Sequence, residues 1–332
     1  MRAWTVETGW RLNELESVIL ASRRLRVVVL PELGGKIWSV EYRPLAKEWL
    51  WHNPRIEPAR VPFGVRFDDV WSGGLDIFFP SCYPSSWNGE AVPDAGELWS
   101  IPWSHELVRT PDALSLVMRA GGRVWPVRVR RTLELGEDEL SFTLGVEVEN
   151  VGGHPLPFLL GVHPALAVSE GDRIDLPPGT ATVAQSSGPA LGAVGQVYTW
   201  PALPDSEGTV RDLGIIPGPG AHVWGGHEFT PAGPDLWWAL RHPPLGVGIG
   251  LVAPRERFRG LWMWQAYGGW RGYHHLALEP WTGFPVTLHE AVAGGSASWL
   301  AAGETYRTWV RVVAFEGAGP VRGIGADGSI RM

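Results

Sequence analysis

Two neighbouring segments, VRVRRTLEL (127–135) and ELSFTLGVEVEN (139–150), alternate apolar and polar residues along most of their length. Successive side chains of a β-strand point to opposite faces, so this alternation predicts strands with one buried face. In the first segment the two valines would share a face with Arg131. The second segment ends at Asn-Val-Gly-Gly (150–153), a typical turn sequence.

The same pattern recurs along the chain and predicts an all-β protein. Further strands are predicted at 25–33, 36–43, 157–168, 246–254, 258–267, 273–280 and 304–316. Short helices are predicted near 231–240 and 285–293, and the Gly- and Pro-rich stretch 184–222 is interpreted as long surface loops. Many short strands in a chain with 43 glycines and 29 prolines indicate a sandwich or barrel. No linker divides the chain, so we expect a single β-sandwich domain over 1–332.

The composition excludes several classes of protein. A chain of 332 residues with 45% hydrophobic content can bury a sizeable core, and its net charge of −7 provides no basic footprint for nucleic acid. Residues 1–20 contain no apolar block typical of a signal peptide, and no apolar run reaches the length that crosses a membrane. Its one cysteine, Cys82, rules out an internal disulfide. We expect a cytoplasmic protein that binds neither nucleic acid nor membranes.

Tryptophan is abundant, at 20 of 332 residues. Most of these indoles suit the core of a β-protein, while some could form platforms on which the C–H faces of sugar rings stack. The segment 71–103 is a long, turn-rich loop with four tryptophans and four acids, including Asp76 and Glu97. Long loops usually have a function, and carboxylates beside indoles suit a polyol. An ordered loop held by its own aromatic side chains is the alternative.

Two further side chains are candidates for chemistry. Glu279 ends the apolar run 276–278, and on a strand it would share one face with His275. A carboxylate at the end of a buried strand is costly unless it is used, although a solvated strand edge would also explain the pair. His163 lies in the most apolar stretch of the chain and precedes Pro164, which ends strand pairing. It is either a core histidine or a site residue at a strand end.

Sequence motifs for metals, nucleotides and serine nucleophiles are missing. The chain contains no HExxH, no paired CxxC and no EF-hand loop. It also lacks a nucleotide-binding glycine motif and a GxSxG elbow. His274 and His275 are adjacent, so on a strand they face opposite ways. The sequence therefore predicts no metal site and no cofactor, and Cys82 is interpreted as structural.

Six segments together resemble the aldose 1-epimerase (galactose mutarotase)-like family, in the order found there. They are PELGGKIWSV (31–40), WSGGLDIFFP (71–80), VPDAGELWSIPW (92–103), LGVHPAL (160–166), LALEPWTGFP (276–285) and LAAGETYRTWVRV (300–312). The resemblance covers residues 25–316. Each glycine-rich piece is weakly specific, whereas the ordered set with His-Pro ahead of Leu-Glu-Pro is more specific. The resemblance implies a large antiparallel β-supersandwich with a sugar site on a concave sheet face.

The resemblance also implies a cofactor-free reaction. Glu279 would take the proton of the anomeric hydroxyl, and His163 would donate a proton to the ring oxygen. The ring would open, the C1–C2 bond would rotate, and the ring would close on the other carbonyl face. Reference pKa values allow one group to be ionised and the other protonated at the same pH. The resemblance and the residue chemistry nominate six substrate-binding residues: Asp76, Glu97, Trp264, Gln265, His275 and Arg66.

Two departures from the family pattern bear on activity and specificity. Ala95 stands where related sequences often carry a histidine, and His275 could replace it. The late aspartate of galactose-active members has no counterpart, and Trp264 with Gln265 is the nearest equivalent. Stacking on an indole would then replace hydroxyl hydrogen bonds, which argues against simple galactose specificity.

Three functions remain open at this point. The chain is an epimerase acting on a monosaccharide or sugar derivative, a non-catalytic carbohydrate-binding protein, or a lyase or hydrolase on the same scaffold. A hydrolase needs two carboxylates across its cleft, which Glu279 with Asp76 or Glu97 could supply. A lyase would use clustered arginines, such as those at 128, 130 and 131. Tryptophan-bearing loops could also form a homodimer contact.

Overall fold

The computed structural model describes residues 4–109, 114–135, 140–205 and 207–332. The first fourteen strands are β1 (Thr5–Leu12), β2 (Leu15–Ala21), β3 (Leu25–Leu30), β4 (Lys36–Tyr42), β5 (Lys47–Glu48), β6 (Leu75–Phe78), β7 (Ser85–Trp87), β8 (Glu90–Val92), β9 (Ser104–Arg109), β10 (Leu114–Gly121), β11 (Val127–Leu135), β12 (Ser141–Asn150), β13 (Leu156–Phe158) and β14 (Gly161–Leu166). The remaining strands are β15 (Arg173–Asp175), β16 (Gly179–Ser186), β17 (Val197–Thr199), β18 (Ala202–Pro204), β19 (Val210–Asp212), β20 (Val223–Pro231), β21 (Leu236–His242), β22 (Val247–Ala253), β23 (Gly260–Tyr267), β24 (His274–Trp281), β25 (Ser298–Leu300), β26 (Thr305–Glu316), β27 (Gly323–Ile324) and β28 (Ile330–Arg331).

The described residues contain few helices, all of them short. The two α-helices are α1 (Phe67–Val70) and α2 (Leu288–Ala293), and single 3-10 turns cover Arg43–Leu45, Pro189–Leu191, Pro219–Ala221 and Pro243–Leu245. Each of these 3-10 turns has a proline at its first or second position, where the missing N–H costs nothing.

The chain forms two compact units: unit 1 is Met1–Pro164 with Trp281–Val310, and unit 2 is Ala165–Pro280 with Arg311–Met332. The single domain expected from the sequence stays a prediction. In unit 1 one antiparallel sheet has the strand order β1-β2-β3-β4-β6-β14, and a second has the order β9-β10-β11-β12-β26. The hairpin β7-β8 and the pair β13-β25 complete the unit.

The two sheets of unit 1 meet at a buried arginine. β11 buries its odd-numbered positions, so Arg131 lies on the same face as the valines, as predicted. It is fully buried, and its guanidinium donates to the carbonyl oxygens of Gly34 and Gly35, which follow β3. Its cation also lies over the Trp103 ring, 5.3 Å from the centroid. Burial lowers the pKa of Arg131 to about 10.

In unit 2 the strands β24-β23-β20-β16-β17-β18-β19 are neighbours in that order. A second series is β15-β21-β22, followed by the residues of β26 that belong to the unit. The register of β20 with β23 pairs Gly226 with Trp264 and Trp224 with Ala266, so these four side chains lie on one face.

Each predicted strand segment contains a strand, including the apolar run 157–168, which holds β14, whereas two of the other segments were assigned wrongly. β11 has the predicted bounds, and β12 begins at Ser141; residue 139 of the prediction lies outside the described residues. The helix predicted near 285–293 is confirmed as α2, but the one near 231–240 is wrong, because β21 begins at Leu236 and is buried on both faces. An apolar run of that kind has no strand periodicity. The stretch 184–222 also contains the three-residue strands β17, β18 and β19, too short to show alternation.

Candidate functional site

Glu279 lies near the end of β24 in unit 2, as predicted from the LALEP motif. The period of the strand places Glu279, Ala277 and His275 on one face. Glu279 is 1% exposed and His275 is fully buried. The structure therefore keeps a carboxylate and an imidazole buried on the same side of one strand.

The neighbouring strand β23 separates Trp264 from Gln265. Successive residues point to opposite faces, so Gln265 shares its face with Tyr267 and not with Trp264. The His274 ring contacts Tyr267, with centroids 5.7 Å apart, which puts His274 on the Tyr267 face. His275 and Glu279 consequently lie on the Trp264 face. Of the two nominated residues Trp264 and Gln265, only Trp264 lies on the same face as Glu279.

Three half-buried tryptophans, Trp224, Trp264 and Trp270, form an aromatic platform on this face, with Trp264 in contact with the other two. Ring centroids are 5.5 Å apart for Trp224 and Trp264, and 5.6 Å apart for Trp264 and Trp270. Trp270 also meets the His275 ring edge-on at 6.2 Å. The sequence analysis missed Trp224 and Trp270. Their signal is a tryptophan beside glycines, in VWGG (223–226) and GGWRG (268–272).

A tight turn between β23 and β24 presents Trp270. The N–H of Tyr273 donates to the carbonyl of Trp270 at 2.9 Å, and the two central residues, Arg271 and Gly272, have φ of 50° and 71°. Two positive φ values define a type I′ turn, which a non-glycine residue adopts at a cost. The Arg271 guanidinium lies over the Trp270 ring, 5.2 Å from its centroid. The turn thus holds an arginine beside the platform.

Burial keeps the His275 imidazole uncharged at neutral pH. Desolvation lowers the pKa of its imidazole to about 3, and the neighbouring His274 adds a smaller effect in the same direction. At neutral pH the ring therefore carries one proton and can donate or accept a hydrogen bond without charge.

His163 lies in β14 of unit 1, directly opposite Asp76 of β6. It is 5% exposed. Its ring stacks on Phe78 at 4.6 Å and 22°, and Trp71 and Phe67 approach it at 5.2 Å and 5.8 Å. Three aromatic rings therefore fix the plane of the imidazole. The structure brings two of the predicted residues, His163 and Asp76, together as a cross-strand pair.

Asp76 forms a buried ion pair with Lys36 of β4. Lys36 Nζ lies 2.5 Å from Asp76 Oδ2 and donates to the carbonyl of Gly73 at 2.8 Å. Burial raises the pKa of Asp76 and lowers the pKa of Lys36, and the charge of each partner opposes these shifts. Lys36 was missed from the sequence, although a lysine that opens the apolar strand KIWSV is itself a signal.

Glu97 holds the segment that links β10 to β11 through hydrogen bonds to its backbone. Its Oε2 accepts the backbone N–H of Arg123 and of Val124, both at 2.6 Å, and its Oε1 accepts that of Trp125 at 3.1 Å. The side chain is fully buried. With both oxygens engaged by the backbone, Glu97 offers nothing to a substrate in this arrangement, and we do not include it in the proposed site.

Arg66 and Ala95 are placed very differently. The Arg66 side chain is 64% exposed and lies 3.5 Å from Asp68, so it is a surface residue next to α1. Ala95 is 1% exposed with φ of 58°, and its N–H donates to the carbonyl of Cys82 at 2.7 Å. At the position where related sequences often carry a histidine, this chain therefore has only a buried methyl group.

Searches for metal and membrane features gave negative results within the described ranges. No three His, Cys, Asp or Glu side chains in those ranges lie close enough to hold a metal ion. Among the described helices, none combines the length and apolarity that crossing a membrane demands.

Comparisons with known proteins show the fold. No family model and no curated protein matches the chain. A protein from Synechocystis sp. PCC 6803 is 18% identical with a TM-score of 0.65, covering 88% of this chain and 92% of its own. A putative aldose 1-epimerase from Klebsiella pneumoniae is 12% identical with a TM-score of 0.71, covering 95% and 83%. A galactose 1-epimerase from Lactobacillus acidophilus is 9% identical with a TM-score of 0.58, covering 96% and 100%. The chain has the all-β fold of galactose mutarotase-like proteins, as the sequence resemblance predicted.

Proposed function

We propose that this protein is an aldose 1-epimerase-like enzyme that interconverts the α and β anomers of a sugar by acid–base ring opening. The observation that carries the proposal is Glu279, a buried carboxylate on one strand face with His275 and the aromatic platform. A carboxylate can act as the general base that ring opening requires. The fold similarity to epimerases supports the same reaction class.

In the proposed reaction Glu279 removes the proton of the anomeric hydroxyl. The ring oxygen accepts a proton as the C1–O5 bond breaks, giving an open-chain aldehyde. Rotation about C1–C2 exposes the other carbonyl face, and reversal of the proton transfers closes the ring. His163 is proposed as the acid because its His-Pro motif matches the family pattern and its ring plane is fixed by packing. Within unit 2, the indole of Trp264 would stack against the sugar, and His275 would bond a hydroxyl as a neutral group.

The proposal is tested by anomer exchange, measured by NMR exchange spectroscopy on aldoses, sugar 6-phosphates and uronic acids. Glu279→Gln should lower the exchange rate about 100-fold or more, because general acid–base catalysis contributes that much. It should leave sugar-induced shift changes in place. Glu149→Gln, a surface glutamate paired with Arg128, is the matched control and should exchange at the wild-type rate. Exchange that persists in Glu279→Gln would refute the assignment of the base.

A non-catalytic carbohydrate-binding protein is the second candidate, and Ala95 favours it. If the missing imidazole is needed for ring opening, the wild type will bind sugars without accelerating exchange. Ala95→His is then the variant to test, although the residue has a positive φ, which disfavours larger side chains. No observation favours a hydrolase or lyase. Glu97 accepts backbone N–H groups and Asp76 pairs with Lys36. Arg128 pairs with Glu149, and Arg130 pairs with Glu147.

A further inference from the structure

A groove of about 570 Å³ runs across one face of strands β1 to β4 in unit 1. This volume falls within the usual range for small-molecule sites. Its lining includes two tryptophans, Trp10 and Trp38, together with Ser17, Glu41 and His52. None of the residues nominated for the epimerase reaction lines it. The groove is therefore unexplained by the proposed function.

Trp10 is 61% exposed, the largest exposed aromatic surface in the groove lining. The pairing of β1 with β2 shifts register between Glu7 and Trp10, which marks a β-bulge, and Gly9 within it has φ of 85°. Bulges re-aim side chains and bend edge strands away from pairing with another chain. The bulge thus explains how Trp10 is presented on the groove face.

Trp38 also lies at a β-bulge. Val28 pairs with Ser39 and Val29 pairs with Ile37, which leaves Trp38 as the extra residue of β4. Its ring lies flat on the His52 imidazole, with centroids 3.9 Å apart and planes 5° apart. His52 Nε2 is 2.8 Å from the Trp38 carbonyl oxygen, so the stack is held in place. Two bulges of one sheet therefore carry the two indoles of one groove.

Acidic and basic side chains line the groove in similar number, with Glu7, Glu41 and Glu48 against Arg11 and Arg26. Arg26 faces Glu41 at 3.9 Å. The Glu48 carboxylate accepts hydrogen bonds from the Ser39 hydroxyl at 2.5 Å and from the backbone N–H of Val40 at 3.0 Å. An ionic ligand would have to break such pairs. Polar groups between two indoles suit instead a neutral ligand with hydroxyls and an apolar face.

We propose that this groove binds a neutral oligosaccharide. β1 and β4 are three strand spacings apart, about 14 Å at the backbone. Two indoles at that separation cannot contact one ring together, and they would instead contact rings at the two ends of a short oligosaccharide. The ligand would then lie across the strands, with hydroxyls toward Glu41.

The test uses protein labelled with 5-fluorotryptophan and observed by fluorine NMR. The Trp10→Phe and Trp38→Phe variants assign the two groove resonances by their disappearance. Titration with maltotriose, cellotriose and xylotriose should shift both resonances saturably for at least one sugar. The resonance of Trp299, which is 50% exposed and packs on Trp87, should stay unchanged. Trp10→Ala should weaken the affinity about tenfold, the scale of one aromatic contact.

Three outcomes would overturn the proposal: no shift of either groove resonance with any of the sugars, an equal shift of Trp299, or shifts that depend on protein concentration without sugar. The last would indicate self-association through this face. Repeating the titration with Glu279→Gln separates the two proposals. The groove response should persist in that variant, whereas anomer exchange should be lost.

Discussion

The buried pair of Lys36 and Asp76 allows a quantitative test of the electrostatics in unit 1. The two side chains are 2% and 1% exposed, and their charged atoms are 2.5 Å apart. Lys36→Met keeps most of the side-chain length and removes the charge. A buried carboxylate that loses its cation destabilises a protein by about 3–5 kcal/mol. We expect the free energy of unfolding to fall by that amount at pH 7.

The variant can relieve this cost by protonating Asp76, and that makes its stability depend on pH. Protonating a carboxyl with an ordinary pKa near 3.9 costs about 4 kcal/mol at pH 7 and about 1.5 kcal/mol at pH 5. A carboxyl whose folded pKa is raised contributes stability at low pH that is lost as pH rises above its unfolded pKa. The destabilisation of Lys36→Met, relative to wild type, should therefore shrink by about 2.5 kcal/mol between pH 7 and pH 5.

Urea denaturation followed by tryptophan fluorescence, at both pH values, gives the measurement. Wild type at each pH corrects for every other titrating group. The double variant Lys36→Met/Asp76→Leu removes both charges, so it should be more stable than Lys36→Met at pH 7 and should lose the extra pH dependence. A deficit in Lys36→Met that is the same at both pH values, or larger at pH 5, would refute the reasoning.

Three further predictions concern two buried side chains and a pair of glycines. Glu97→Ala leaves three backbone N–H groups without an acceptor and should lower the free energy of unfolding by about 3 kcal/mol or more, whereas Glu97→Gln should cost less; urea denaturation distinguishes them. Burial lowers the pKa of His227 to about 4. The stability that this histidine contributes above pH 6.5 should therefore be lost as the pH falls toward 4, by up to about 3 kcal/mol. Thermal unfolding of His227→Gln should then depend less on acid than that of the wild type. A Cβ on Gly268 would lie 1.9 Å from the Pro219 carbonyl oxygen, so Gly268→Ala should destabilise clearly more than Gly272→Ala, which meets open space and should cost only about 1 kcal/mol of backbone strain; equal melting temperatures would contradict this.

Local periodicity identified strands such as β11 and β12, because a half-buried strand alternates apolar and polar residues. β11 was predicted with its bounds, and Arg131 was assigned to the correct face from alternation alone. The failure at 231–240 has a physical cause. β21 is buried on both faces, so its sequence is a continuous apolar run that is compatible with a buried helix as well as a strand.

The roles of the candidate residues were harder to predict from the sequence than their secondary structure. The sequence indicated acids in the segment 71–103, but it could not show that Glu97 binds backbone N–H groups of residues 123–125. It could not show that Asp76 is paired with Lys36 either. Both partnerships join residues far apart in the chain, and hydrogen bonds of that kind leave no characteristic spacing in the sequence.

By itself the sequence determined the β class, the two faces of each alternating strand, and the shared face of Glu279 and His275, because these follow from a two-residue period. Only the tertiary structure decided that Trp224, Trp264 and Trp270 meet on that face, and that Gln265 lies on the other side. The reason is that strand order and register depend on the summed packing of many distant side chains. A local pattern fixes which residues share a side of one strand, and the pairing of strands fixes which neighbours they find there.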